Sequence, residues 1–163
     1  MAKIAHAQKL TPCLWFDTEG EDAANFYTSV FPNSRIVDVV RFGEAGPGPA
    51  GTVMVVTFDL DGQRFIALNG GPQFAFSEAV SFQISCETQE EVDHFWNELS
   101  KGGEEGRCGW LKDRFGLSWQ VVPTALPRLL GSSDPATSQR VMQAMLKMQK
   151  IEIAELEQAA AEA

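Results

Sequence analysis

The sequence predicts an α+β fold built from two tandem strand–helix–strand–strand–strand units and closed by C-terminal helices. Three observations carry this reading. Period-2 and helical-period segments follow one another in the same order twice. The two helical segments align at one constant offset, with Glu21-Asp22-Ala23 and Phe26-Tyr27 matching Glu90-Glu91-Val92 and Phe95-Trp96. The pattern Asp-x-x-Gly at Asp59–Gly62 recurs at Asp113–Gly116, each time followed three residues on by an aromatic, Phe65 and Trp119.

In the first unit, residues 8–72, the apolar run Leu10–Phe16 reads as a strand that enters a turn at Asp17-Thr18-Glu19-Gly20. Glu21 and Asp22 then open a helix carrying Ala23, Phe26, Tyr27 and Val30 at helical spacing, and Pro32-Asn33 stops it. Ile36–Phe42 and Thr52–Leu60 are strands separated by the Gly/Pro-rich loop Gly43–Gly51, which reads as a mobile hairpin loop. Asp61-Gly62 is a two-residue hairpin turn into Arg64–Leu68.

The second unit, residues 77–123, restarts with the strand Ala79–Cys86. Its helix runs through Leu99, capped by Thr88 with Glu91 completing a capping box and ended by Lys101-Gly102-Gly103. In the tail, residues 133–163, Asp134 before Pro135 marks a helix start. A Met-rich stripe of Val141, Met142, Met145, Leu146 and Met148 follows, then a second amphipathic piece around Ile151–Leu156. Such a stripe needs a partner: its own sheet or a second subunit.

A chain of 163 residues, 44% of them hydrophobic, suffices for one domain spanning 1–163. The net charge of −9 argues against nucleic acid and anionic membranes as partners. The absence of a secretory leader pattern or a bilayer-length apolar run points to a cytoplasmic protein. Cys13, Cys86 and Cys108 lack the spacing of a zinc or redox pair and read as reduced packing thiols.

Two such units in tandem, with Phe-Tyr and Phe-Trp on their helices, resemble the vicinal-oxygen-chelate (glyoxalase/bleomycin resistance protein/dioxygenase) superfamily over residues 8–123. The blocks Ala67-Leu-Asn-Gly-Gly-Pro72 and Cys108-Gly-Trp-Leu-Lys-Asp-Arg-Phe-Gly-Leu-Ser-Trp-Gln-Val-Val-Pro123 are similar to its PhnB-like branch, often labelled 3-demethylubiquinone-9 3-methyltransferase. The resemblance implies paired half-open β-cups around a small-molecule cavity and a homodimer.

It also implies four metal-ligating positions, one on the first and one on the last strand of each unit, filled by His, Gln, Glu or Tyr. On this chain they fall at Pro12, Ile66, Ala79 or Ser81, and Gln120. Only Gln120 matches, and the two histidines, His6 and His94, lie elsewhere, so neither a metal nor another cofactor is expected.

No glycine-rich strand-to-helix turn that could hold S-adenosylmethionine is present, because the glycines of 43–51 lie between two strands. Cys13 and Cys86 lie on strands with no histidine in plausible reach, and Cys108, beside Gly109-Trp110, is the one thiol placed near the expected cavity rim. Lys112, Asp113 and Arg114 form a charged turn, either solvated or making an ion pair or anion contact at the cavity mouth.

By strand alternation, Pro12, Leu14 and Phe16 share one face, as do Ser81 with Gln83 and Ser118 with Gln120. The superfamily pattern turns these faces, with Ile66 and Trp110, toward the cavity. Trp15, Phe65 and Trp119 are then expected beneath the helices. The function expected is binding of a small apolar or aromatic molecule without a metal. The alternatives are an enzyme acting on a quinone-like or vicinal-oxygen substrate oriented by Gln120, and a vestigial site on a dimeric structural protein. No catalytic residue is assigned.

Overall fold

The computed structural model describes residues 8–162, so the expectation attached to His6 lies outside the described residues. The chain divides into two compact units at Ala75–Phe76.

The first unit contains β1 (Cys13–Phe16), α1 (Gly20–Val30), β2 (Arg35–Arg41), β3 (Val53–Leu60) and β4 (Gln63–Asn69). Its sheet runs in the order β1-β4-β3-β2, with β1 parallel to β4 and the other pairs antiparallel. The Asp61-Gly62 turn forms as its dipeptide predicts: both residues have positive φ, 45° and 79°, and Leu60 pairs with Gln63.

Helix α1 covers one face of this sheet. Ala23, Ala24, Tyr27 and Val30 are buried, and the Tyr27 ring stacks on Phe58, which stacks on Phe65, at centroid distances of 6.3 and 5.7 Å. Aromatic pairs of this kind add about 0.5–1.5 kcal/mol beyond their buried area. Asp59, at the end of β3, is held by Arg64 Nε at 2.6 Å and Arg35 Nε at 3.4 Å, which keep its carboxyl below the usual carboxylate range.

The second unit contains β5 (Ser81–Cys86), α2 (Gln89–Ser100), β6 (Glu104–Glu105), β7 (Trp110–Lys112), β8 (Ser118–Pro123), α3 (Ala125–Leu130), α4 (Pro135–Met145) and α5 (Ile153–Ala161). Its sheet order, β5-β8-β7-β6, repeats the first, again with the outer pair parallel. Thr88 Oγ1 accepts from Glu91 N at 3.2 Å, and Glu91 answers by accepting from Glu87 N at 2.6 Å, one residue ahead of the cap. Asp134 caps α4 through Ala136 N and Thr137 N.

The recurring aspartate has changed partners. Asp113, 2% exposed, accepts from Phe115 N, Leu117 N and the Trp119 indole at 2.9, 3.1 and 2.9 Å. It is the buried organiser of its turn and not a solvated charge, whereas Arg114 lies over the Phe115 ring.

Part of the tail's apolar face packs within its own unit. Leu126, Val141, Met148, Ile151 and Leu156 form one apolar cluster, flanked by Val122, Leu129 and Met145. The Gln89 side chain clamps it in place, donating to Ile151 O at 3.0 Å and accepting from Ile153 N at 2.8 Å, while Lys150 pairs with Asp93 at 2.7 Å. Val141, Met145 and Met148 of the stripe pack in cis, whereas Met142 and Leu146 remain 40% and 53% exposed. Helix α3 was not anticipated: Pro127 sits inside it, and Thr124 makes no side-chain cap.

Ile151 is fully buried at the centre of that cluster. Ile151→Ala is expected to lower unfolding stability by about 2–5 kcal/mol in urea denaturation, and a change near zero would mean that the tail is not docked.

Candidate functional site

In the first unit, the covered face is decided by β4. Parallel pairing sets Leu14 beside Ala67 and Phe16 beside Asn69, and Cys13 and Trp15 beside Ile66 and Leu68. Ala67 and Asn69 lie under α1: a Cβ on Gly20 would come within 3.4 Å of Ala67 Cβ and 2.6 Å of Asn69 Oδ1. Leu14 and Phe16, 6% and 3% exposed, are therefore core, and the expectation that they line a cavity is corrected. Pro12 is half-buried just before β1, its carbonyl accepting from Ile66 N at 2.9 Å.

Trp15 reverses in the opposite sense. Expected beneath the helix, it lies half-buried on the other face, where it lines a cavity of about 990 Å³. Its Nε1 donates to Gly71 O at 2.9 Å, and its ring meets Phe74 edge-on at 5.0 Å. The glycines of the Ala67–Pro72 block now have a physical reason. A Cβ on Gly70 would strike the Trp15 ring at 2.3 Å, and Gly71 has φ of 100°.

The cavity is floored by Trp15, Val53, Met54 and Leu68 and edged by Phe42, Pro47 and Pro49 of the Gly/Pro loop. That loop packs on its own aromatic, since Gly48 leaves no room for a Cβ beside the Phe42 ring, at 2.6 Å. Asp17, Glu21, Asp22 and Arg41 stand at the polar margin. Ile66 shares the Trp15 face by pairing but is not part of the cavity lining.

In the second unit, the expected face assembles. Strand pairing sets Ser81 beside Ser118, Gln83 and Trp110 beside Gln120, and Lys112 beside Ser118, so the six share one side of the sheet. Gln120 Nε2 donates to Ser81 Oγ at 2.9 Å, and β5 begins at Ser81 and not at Ala79. Lys112 Nζ meets Glu78 at 2.5 Å; the pair lowers the glutamate pKa and raises that of the lysine. Ser118 Oγ is buried without a hydrogen-bond partner. Phe65 and Trp119 are buried as expected.

The superfamily metal positions do not fit a metal. Pro12 and Ile66 offer no side-chain donor, and Ser81 and Gln120 are neutral, with Gln120 Nε2 donating to Ser81 Oγ. A divalent cation draws most of its affinity from carboxylate, thiolate or imidazole. Among the described residues, no three His, Cys, Asp or Glu side chains come together as a metal-holding group, and His94 is exposed on α2 against Phe95.

Cys108 adopts φ of 57°, with its Sγ 3.6 Å from Met145 O, so it packs under the tail. Among the described residues, no helix is long and apolar enough to cross a membrane.

Two tandem βαβββ units, each with its outer strands parallel, define the vicinal-oxygen-chelate fold. Within it, the chain belongs to the 3-demethylubiquinone-9 3-methyltransferase family, whose model matches residues 8–122. The PhnB protein from Bacillus cereus is 39% identical, with a TM-score of 0.67 over 72% of this chain and 100% of that one. A Pseudomonas aeruginosa protein is 20% identical, with a TM-score of 0.60 over 72% and 98% of the two chains. The fosfomycin resistance protein FosX from Listeria monocytogenes shares the fold at 14% identity, with a TM-score of 0.54 over 78% and 99%. No curated protein matches the chain.

Cys86 is fully buried, and desolvation, aided by Glu91, pushes its thiol up to about 12. A thiol reagent at mildly alkaline pH is expected to leave Cys86 unmodified in the folded protein and to label it after denaturation, as read by peptide mass spectrometry. Native labelling as fast as that of exposed Cys13 would contradict this.

Proposed function

We propose that the protein binds a small apolar or aromatic molecule without a metal, in the first-unit cavity. The observation that carries this reading is the cavity itself. Its 990 Å³ suits a compact organic ligand, and its aromatic and aliphatic floor is edged by a few polar groups. Trp15 is held in place by its indole hydrogen bond and by Gly70, so a ligand stacking on it meets a pre-organised surface. The neutral donor set at Ser81 and Gln120 supports metal independence. Nothing in the site supports methyl transfer: the Gly/Pro loop joins two strands and packs on Phe42.

A second reading, an enzyme acting on a quinone-like or vicinal-oxygen substrate oriented by Gln120, draws on the second-unit face. There Ser118 Oγ is a buried hydroxyl lacking a partner, beside Trp110 and Gln120 on the same sheet face.

Calorimetric titration with quinoline, a neutral bicyclic probe, together with elemental analysis, separates the two. Binding is expected in the native protein, at least tenfold weaker in Leu68→Trp or in the rim variant Thr52→Trp, and unchanged in Trp110→Ala, with metal far below stoichiometric. Loss of binding in Trp110→Ala alone, or stoichiometric divalent metal, would overturn the reading.

A further inference from the structure

The first-unit cavity carries a charge asymmetry that its apolar floor does not explain. Three carboxylates line it, Asp17, Glu21 and Asp22, against one cation, Arg41. Arg41 is already engaged, with its guanidinium 4.0 Å from Glu21 and donating to Gly51 O at 3.2 Å. Among the described residues, Asp17 and Asp22 have no ion-pair partner.

Part of this charge has a local purpose. Glu21 and Asp22 stand in the first turn of α1, where the unsatisfied N–H groups favour negative charge. Asp17 does not: it precedes the helix, following Phe16 at the end of β1, and still lines the cavity. The same cavity is walled by Trp15, with Phe74, 67% exposed, against its ring. Aromatic faces attract cations through their quadrupole, and nearby carboxylates add a Coulomb attraction that partial enclosure strengthens. An anionic ligand would meet the same carboxylates as repulsion.

We propose that this cavity selects a planar aromatic ligand bearing a positive charge, such as a quaternised ring nitrogen, with the ring on the Trp15 wall and the charge toward Asp17 and Asp22. The inference rests on the reading that the cavity is a small-molecule site, and adds to it the charge class of the ligand. Its selectivity is electrostatic and is screened by salt.

Three probes of one ring frame test it on the full chain by calorimetry: neutral quinoline, cationic N-methylquinolinium and anionic naphthalene-2-sulfonate. N-methylquinolinium is expected to bind about tenfold more tightly than quinoline, with the sulfonate weakest. The preference should shrink at high salt and vanish in the Asp17→Asn/Asp22→Asn double variant. Equal binding of quinoline and its cation, or a cation preference that survives the double variant, overturns the charge assignment and leaves the binding site standing. If none of the three binds, the small-molecule reading itself falls.

Discussion

Asn69 is the residue on which the first unit turns. Its Oδ1 accepts from Gly20 N at 2.8 Å, seating the start of α1, and its Nδ2 donates to Val53 O at 3.1 Å, tying the end of β4 to the start of β3. Because Gly20 has no Cβ, the helix comes down directly on Asn69 and Ala67. Once that face of β4 is covered, parallel pairing carries the consequence to β1: Leu14 and Phe16 go to the core, and Trp15 goes to the cavity. The neighbouring Gly70 and Gly71 then hold the indole from behind and through its nitrogen. One side-chain amide thus seats the helix that covers one face of the first-unit sheet.

The two units keep their topology while exchanging chemistry at equivalent points. Asp59 is answered by two guanidinium groups near the surface, and Asp113 by two backbone amides and an indole in a buried turn. The sheet faces differ in kind as well. The first presents Trp15 and Leu68 to a cavity, and the second presents Ser81, Gln83, Ser118 and Gln120 around Trp110 and Lys112. The two units share one strand order and present different side-chain chemistry on it.

Local signals were legible in the chain wherever a single residue type enforces the geometry. Asp61-Gly62, the Thr88 cap and Asp134 before Pro135 each act within a few residues, and each forms as read. The face of β1 was not legible, because Cys13-Leu14-Trp15-Phe16 is apolar on both sides and carries no alternation. The second-unit face was legible because Ser81, Gln83, Ser118 and Gln120 are polar at every second position. The docking of the tail depends on Gln89, about sixty residues away in sequence, bonding to a backbone segment. The Gly/Pro loop reads as flexible until Phe42 is seen lying against Gly48.

The orientation of the first-unit sheet can be tested by comparing neighbours on β4 that point to opposite faces. Leu68 lines the cavity, and Ala67 is 1% exposed under α1. Leu68→Cys and Ala67→Cys should be treated separately with a maleimide and mapped by peptide mass spectrometry under native conditions. The account predicts rapid labelling at position 68 and protection at 67 until the protein is unfolded. Labelling at 67 with protection at 68 would place the open face on the other side of the sheet and contradict the assignment of Trp15 to the cavity.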